Sequence, residues 1–221
     1  MSNEEILQHV DHTYLKAFAV WEDIDTLCRE AIEYHTASVC IPPSYIKRVH
    51  DTFKDEINIC TVIGFPLGYS CTEAKEAEIK RALADGANEI DMVINITDAK
   101  NGDFDRITEE IRTLKAAVGD KILKVIVETC YLTKEEKIAV CKCVTEAGAD
   151  YIKTSTGFGT DGATLEDILL FKENIGPNVK MKAAGGIRSV RDMEEFIAAG
   201  CDRLGTSSAI KLIQGEKSTS Y

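Results

Sequence analysis

The sequence lacks the main signatures of a membrane protein or a nucleic-acid-binding protein. Its 221 residues contain no apolar stretch near the roughly 18 residues that a membrane span requires. The 26 basic residues are outnumbered by 37 acidic ones, the net charge is −11, and no basic run stands out. We therefore expect neither a membrane nor nucleic acid as a partner, because both anionic surfaces recruit clustered Lys and Arg.

Zinc-ligand spacings and a secretion signal are also missing. Eight cysteines are scattered through apolar stretches, and Cys141 and Cys143 have neither a zinc spacing nor a neighbouring His pair. Residues 1–10 contain no apolar run of the kind found in a secretory signal. We therefore expect buried, reduced thiols, a cytoplasmic location and no metal.

A glycine turn repeats along the chain. In each of three segments a Gly is followed by a small residue and then by Asp or Asn at the start of a strand-like run: ADGANEI (84–90), EAGADYI (146–152) and AAGCDRL (198–204). Gly takes the positive φ that ends many helices, so each segment predicts a helix, a tight turn and a strand. The intervals between the glycines each fit two βα units of roughly 30 residues.

Eight short apolar runs alternate with helical patterns such as residues 24–31, 104–118 and 190–197. The runs are DHTYL (11–15), ASVCI (37–41), INICTVIGF (57–65), EIDMVIN (89–95), KILKVIVET (121–129), DYIKT (150–154), VKMKAAG (179–185) and DRLGT (202–206). This alternation predicts a parallel sheet covered by helices. Eight units in one domain, residues 1–221, favour a closed (β/α)₈ TIM barrel with short loops. A doubly wound open sheet is the alternative, but no G-x-G-x-x-G follows the first strand.

Lys153, in the stretch YIKTSTG, is an ammonium inside a predicted strand. One interpretation is a lysine that faces outward, with its stem along apolar surface. However, Ile152 suits the helix-facing side, and strict alternation then directs Lys153 into the barrel, where charges are rare unless paired or functional. Active sites of such barrels lie at the carboxyl ends of the strands, which is where this lysine falls.

Lys182 and Asp91 occupy similar positions on other strands. Lys182 is nearer the carboxyl end of its strand than Lys180, and its alternative interpretation is a solvated lysine at a loop edge. If Lys182 and Lys153 both face inward, the pKa of one should fall, which makes that amine nucleophilic. Asp91 either neutralises a lysine or shuttles protons during carbinolamine formation and dehydration.

Two glycine- and serine-containing segments follow the seventh and eighth strands. They are AAGGIR (183–188) and LGTSSAI (204–210), and each leads into a helix. Glycine lets backbone N–H groups approach an anion, and a phosphate site after strands 7 and 8 recurs in this fold. Helix capping is the alternative explanation.

The motifs as a set resemble the deoxyribose-phosphate aldolase family, class I aldolases on a (β/α)₈ barrel. The resemblance covers nearly the whole chain and rests on DHTYLK (11–16), ASVCIPP (37–43), VIGFPLG (62–68), NEIDMVINI (88–96), KVIVET (124–129), EAGADYIKTSTGF (146–158), KAAGGIR (182–188) and LGTSS (204–208). It implies reversible cleavage of 2-deoxy-D-ribose 5-phosphate to D-glyceraldehyde 3-phosphate and acetaldehyde, without metal or organic cofactor.

The resemblance also implies residue roles. Lys153 would form the Schiff base, Lys182 would assist proton transfer, and Asp91 would relay protons with a bound water. The positions that match phosphate-binding residues are Gly157, Gly185, Gly186, Arg188, Gly205, Ser207 and Ser208. The positions that match the lining near the sugar are Asp11, Thr13 and Cys40.

The chain departs from the family pattern at two positions. Pro42 stands where many members have another residue, and Phe158 replaces a lysine that some members place beside the phosphate. The polar tail at about 215–221 favours a flexible terminus, although in members that end in the same way a tyrosine, here Tyr221, handles the proton at the enamine carbon. Homo-oligomerisation stays open, as do two rival functions: a Schiff-base aldolase for another phosphorylated sugar, and a non-catalytic sugar-phosphate binding protein.

Overall fold

Eight parallel strands form a closed barrel in the computed structural model, which describes residues 1–216. The strands are β1 (Val10–Thr13), β2 (Ser38–Ile41), β3 (Ile59–Ile63), β4 (Glu89–Val93), β5 (Ile122–Ile126), β6 (Tyr151–Lys153), β7 (Lys180–Ala184) and β8 (Arg203–Thr206). Each strand pairs with the next along the chain, and β1 pairs with β8 to close the ring. Seven of the eight apolar runs contain one strand each, and β1 overlaps the run at 11–15 but begins one residue before it. The barrel prediction is confirmed and the open sheet is excluded.

Helices surround the barrel, and all but the first and the last of them connect successive strands. They are α1 (Asn3–Leu7), α2 (Trp21–Glu33), α3 (Ile46–Phe53), α4 (Thr72–Ala84), α5 (Ile96–Asn101), α6 (Phe104–Val118), α7 (Lys134–Glu146), α8 (Leu165–Asn174), α9 (Val190–Ala199) and α10 (Ala209–Ile213). In the described part of the chain, no helix is long and apolar enough to cross a membrane.

The three repeated glycine turns end α4, α7 and α9 as predicted. Gly86, Gly148 and Gly200 have φ values of 110°, 76° and 115°. After each glycine the next N–H returns to the last turn of the helix, for example Ala87 N to the Ala82 carbonyl at 3.0 Å. This arrangement satisfies carbonyl groups that the helix end would leave unpaired, and it aims the chain into the next strand.

The two faces of the strands have opposite chemistry. Outward residues such as Ile152, Met92 and Val125 belong to the large apolar core between barrel and helices. The inward residues include buried charged side chains, which is unusual because barrel interiors are commonly filled with branched apolar residues. The apolar core therefore stabilises the fold from outside the strands and leaves the interior free for polar groups.

Candidate active site

Lys153, Lys182 and Asp91 meet inside the barrel. Lys153 is the last residue of β6 and is the register partner of Lys182 on β7. A single oxygen of Asp91, Oδ2, accepts hydrogen bonds from Lys153 Nζ at 2.7 Å and from Lys182 Nζ at 2.8 Å. The inward direction inferred for Lys153 is thus the observed one, and all three side chains are buried.

A wider group of charges surrounds this triad. Lys124 on β5 lies 2.6 Å from Glu89 Oε2 and 2.9 Å from Asp91 Oδ1. Arg203 on β8 binds Glu89 with two hydrogen bonds of 3.0 Å, and its Nη1 lies 2.5 Å from Asp11 Oδ1.

Asp11 also accepts a hydrogen bond from Lys182 and one of 2.8 Å from Ser38 Oγ. The interior therefore holds three carboxylates and four cationic side chains, each paired, as buried charges require.

Charge pairing outweighs burial in setting these pKa values. Burial alone would raise the pKa of Asp91, but Lys124, Lys153 and Lys182 hold it well below its ordinary value. Burial would lower the pKa of Lys182, yet the carboxylates of Asp11 and Asp91 raise it. Lys182 therefore keeps its proton, because two carboxylates contact its ammonium.

Two thiols lie beside the charged group. Cys40 and Cys60 are register partners on β2 and β3, and Cys60 Sγ lies 3.2 Å from Asp91 Oδ1. A hydrogen bond with Cys60 lowers the pKa of Cys40, whereas burial raises the pKa of Cys60 well above its ordinary value. None of the eight cysteines, all within the described residues, forms a disulfide, and six are buried, in line with the expectation of reduced thiols.

The same groups include the only combinations of donor atoms close enough to hold a metal ion among the described residues. These combinations are Cys40, Cys60 and Asp91, and Asp11, Cys60 and Glu89. Lys124 and Lys182 form ion pairs with the carboxylate oxygens of these sets. Ammonium groups thus occupy the positions where a cation would bind, and the site is suited to amine chemistry.

A pocket opens at the carboxyl ends of the strands, directly above Lys153. It is lined by Thr13, Leu15, Lys153, Thr156, Gly157, Ala184, Gly185, Gly186, Ile187, Gly205, Thr206 and Ser207. Gly157, Gly185 and Gly186 have φ values of 86°, 76° and 72°, which glycine adopts without a Cβ penalty. Within the described residues, the N–H groups of Gly157, Gly186 and Ile187 form no hydrogen bond, so they are available to an anion.

Several residues expected at the site lie outside this lining. Asp11 and Cys40 are buried below the pocket, and Ser208 is buried with its N–H donating to Thr206 Oγ1 at 3.1 Å. Arg188 is exposed, and its N–H donates to Asp192 Oδ2 at 2.8 Å. Tyr221 lies outside the described residues.

Lys124, Glu89 and Arg203 are missing from the site expected from the sequence. A charged residue within an apolar strand run predicts that Lys153 faces the barrel interior, and the same pattern holds for Lys124 in KILKVIVET. Glu89 lies two residues before Asp91 and so shares its inward face. Arg203 is harder to predict as a site residue, because it stands at the first position of its strand.

The closed parallel barrel, with paired lysines below a glycine-lined pocket, places the chain in the class of (β/α)₈-barrel enzymes. The sequence profile described as DeoC/LacD family aldolase matches residues 6–208. The chain belongs to this family of aldolases, and it is therefore a lyase.

Relatives that align with nearly the full length of the chain are aldolases as well. A deoxyribose-phosphate aldolase from Clostridium botulinum (strain Alaska E43 / Type E3) is 70% identical over 221 residues, 100% of both chains. One from Clostridioides difficile (strain 630) is 59% identical over 218 residues, 99% of this chain and 100% of the relative. A solved deoxyribose phosphate aldolase from Aeropyrum pernix, described as tetrameric, superposes with a TM-score of 0.88 at 30% identity, covering 97% of this chain and 92% of that one.

Proposed function

We propose that this chain reversibly cleaves 2-deoxy-D-ribose 5-phosphate to D-glyceraldehyde 3-phosphate and acetaldehyde through a Schiff base on Lys153. The observation that carries the proposal is the position of Lys153. Among the cationic side chains inside the barrel, it is the one that lines the pocket, whereas Lys124 and Lys182 lie below it. Its ammonium shares one carboxylate oxygen with Lys182.

The neutral amine of Lys153 attacks the substrate aldehyde carbon, and the carbinolamine loses water to give a protonated imine. Asp91, through the bound water, accepts the proton of the substrate's C3 hydroxyl, whose oxygen becomes the aldehyde oxygen of the leaving product, and the imine cation accepts the electron pair of the breaking C–C bond. The products are an enamine on Lys153 and D-glyceraldehyde 3-phosphate. Protonation of the enamine carbon followed by hydrolysis releases acetaldehyde and restores the amine.

Asp91 and Lys182 supply the proton transfers in this proposal. Asp91 Oδ2 lies 2.7 Å from Lys153 Nζ, within the range that proton transfer requires, and it relays protons with a bound water. Lys182 keeps its charge between Asp11 and Asp91, and Asp91 Oδ2, which contacts both lysines, accepts the proton that Lys153 gives up before its amine attacks. Tyr221, outside the described residues, is proposed to protonate the enamine carbon.

The phosphate would bind at the glycine loops. The free N–H groups of Gly157 and Gly186, together with Gly185, Gly205 and Ser207, support this assignment because backbone donors suit an anion. The proposal extends to Ser208 and to Arg188 as an outer cation. The sugar would lie between these loops and Lys153, beside Thr13 and above Asp11 and Cys40.

Borohydride trapping tests the proposal. Reduction in the presence of deoxyribose 5-phosphate should add the mass of a reduced adduct to the peptide that contains Lys153, and Lys153→Ala should abolish both adduct and cleavage. An adduct on another lysine would refute the assignment. Release of a carbonyl product other than acetaldehyde would indicate a different aldolase substrate, and substrate binding without an adduct would indicate a non-catalytic binding protein.

We further propose a cytoplasmic location and self-association. Eight unpaired cysteines suit a reducing compartment, and the Aeropyrum pernix relative is described as tetrameric. Light scattering on the purified chain tests the second point, with a monomeric mass as the contrary result.

A further inference from the structure

Glu128 has an unusual backbone conformation just beyond the carboxyl end of β5. Its φ and ψ are 55° and 66°, in the left-handed region that few residues other than glycine adopt. Among the described residues, the other non-glycine residues with positive φ are His35 and Lys54. Both follow the end of a helix, where a residue with positive φ is common. Glu128 instead follows a strand, so its conformation needs another cause.

The carboxylate of Glu128 binds both donor groups of Thr156. Its Oε1 accepts the Thr156 backbone N–H at 3.1 Å, and its Oε2 accepts the Thr156 hydroxyl. Thr156 Oγ1 in turn accepts the N–H of Phe158 at 3.0 Å, which closes the turn around Gly157. Glu128 therefore holds the β6–α8 loop at the residue that directly precedes Gly157.

The loop packs closely onto this carboxylate. A Cβ added to Gly159 would lie 3.1 Å from Glu128 Oε1 and 2.9 Å from Cys130 Sγ. Glu128 itself is 2% exposed and does not belong to the pocket lining, whereas Thr156 and Gly157 do. Glu128 therefore reaches the pocket by contact through Thr156, and its charge also acts on Lys153.

Glu128 has no cationic partner within ion-pair distance among the described residues. Burial raises its pKa, while the hydrogen bonds from Thr156 act in the opposite direction. A buried carboxylate without an ion pair is costly, so this residue is poorly explained as a stabilising contact. Its two oxygens accept both donors of Thr156, whereas an amide side chain would have to reverse the second bond, with its NH2 donating to Thr156 Oγ1 and the hydroxyl hydrogen losing its charged acceptor.

We propose that Glu128 is a positioning residue that fixes Thr156 and so keeps the Gly157 N–H available in the pocket for the phosphate of the substrate. The inference rests on the proposed function, because the phosphorylated sugar is the ligand it concerns. Glu128 thus determines the preference for phosphorylated over non-phosphorylated deoxyribose, while Lys153 performs the bond chemistry.

The test compares Glu128→Gln with wild type on deoxyribose 5-phosphate and on 2-deoxyribose. We expect KM for the phosphorylated sugar to rise about tenfold, the effect of losing roughly one well-placed hydrogen bond to a charged group. We expect kcat and the borohydride adduct at saturating substrate to change less than about threefold, and kcat/KM for 2-deoxyribose to stay near wild type. An equal loss on both sugars, or a fall in kcat at unchanged KM, would overturn the proposal.

Two further variants guard against a general folding defect. Glu110→Gln is the matched control, a buried carboxylate at 7% exposure on α6 away from the pocket, and it should leave the ratio of the two KM values unchanged. Thr156→Val removes the hydroxyl that Glu128 accepts, so it should raise the same KM, and the double variant should be no worse than the worse single one. Additive effects would contradict the coupling.

Inorganic phosphate separates this inference from the proposed function. If wild type neither cleaves deoxyribose 5-phosphate nor forms an adduct, the proposed function fails, and calorimetric titration with inorganic phosphate still tests Glu128. Weaker phosphate binding by Glu128→Gln than by wild type then supports the positioning role. Equal binding, or no phosphate binding by wild type, overturns it.

Discussion

Replacing Asp91 with Asn removes one negative charge from the centre of the barrel without changing the shape of the side chain. In the wild type its carboxylate contacts Lys124 at 2.9 Å, Lys153 at 2.7 Å and Lys182 at 2.8 Å. After the substitution, the same three ammonium groups and Arg203 would face only two carboxylates. We expect both stability and catalysis to suffer.

The size of the effect follows from these distances. One unit-charge pair at 2.8 Å contributes about 6 kcal/mol at an effective dielectric constant of 20, before desolvation is subtracted. Desolvation offsets much of that attraction, and removing one partner of a buried pair typically costs about 3–5 kcal/mol. We expect Asp91→Asn to lower the free energy of unfolding by about that amount. Loss of the proton relay should lower kcat/KM by about 100-fold or more.

The pH dependence has a definite sign. The folded-state pKa of Asp91 lies below its unfolded value, because neighbouring ammonium groups favour the charged form over the effect of burial. Its contribution to stability is therefore fully present above the unfolded pKa of about 3.9, and it is lost as pH falls through the lower folded pKa. The stability difference between wild type and variant should be constant at neutral and mildly acid pH, and it should shrink only in strong acid.

Urea unfolding followed by circular dichroism measures the first effect, and steady-state kinetics measures the second. Glu110→Gln is the matched control, since Glu110 lies 2.7 Å from one ammonium, that of Lys75. Glu110→Gln therefore removes a carboxylate from one ion pair, whereas Asp91→Asn removes one from three. The control should lose less stability and keep near-wild-type kcat. An Asp91→Asn variant as stable as wild type would refute the view that charged lysines surround Asp91.

Three further substitutions test other parts of the site. Lys182→Met should lower kcat by about 100-fold or more while borohydride still labels Lys153, which peptide mass spectrometry checks. Gly162→Ala should raise KM by about tenfold, since its Cβ would lie 2.4 Å from the backbone of Gly185, and unchanged kinetics would contradict the packing. Phe158→Lys should lower KM for the phosphorylated sugar at low salt and lose the advantage at high salt, and a salt-independent KM would argue against a phosphate nearby.

Local patterns in the sequence were sufficient to predict the architecture. Each glycine turn, helical stripe and apolar run is encoded within a few neighbouring residues, and their order predicts a closed parallel barrel. The direction of Lys153 can be predicted in the same way. Successive side chains of a strand point to opposite faces, so Lys153 points inward when Ile152 points outward to the helices. These features need no knowledge of contacts between distant segments.

The composition of the site depended on barrel closure. Asp11 and Arg203 are 192 residues apart in sequence, yet pairing of β1 with β8 brings their charged atoms within 2.5 Å. The pKa of Lys182 is raised rather than lowered because Asp11 approaches it across the same junction.

The contact between Glu128 and Thr156, which are 28 residues apart, depends instead on the pairing of the consecutive strands β5 and β6. The two-residue period of a strand determines which face a residue occupies, and this face can be predicted from the sequence alone. Which charges then meet, and so why the pKa of Lys182 is raised, is decided by distances across the barrel that only the tertiary structure sets.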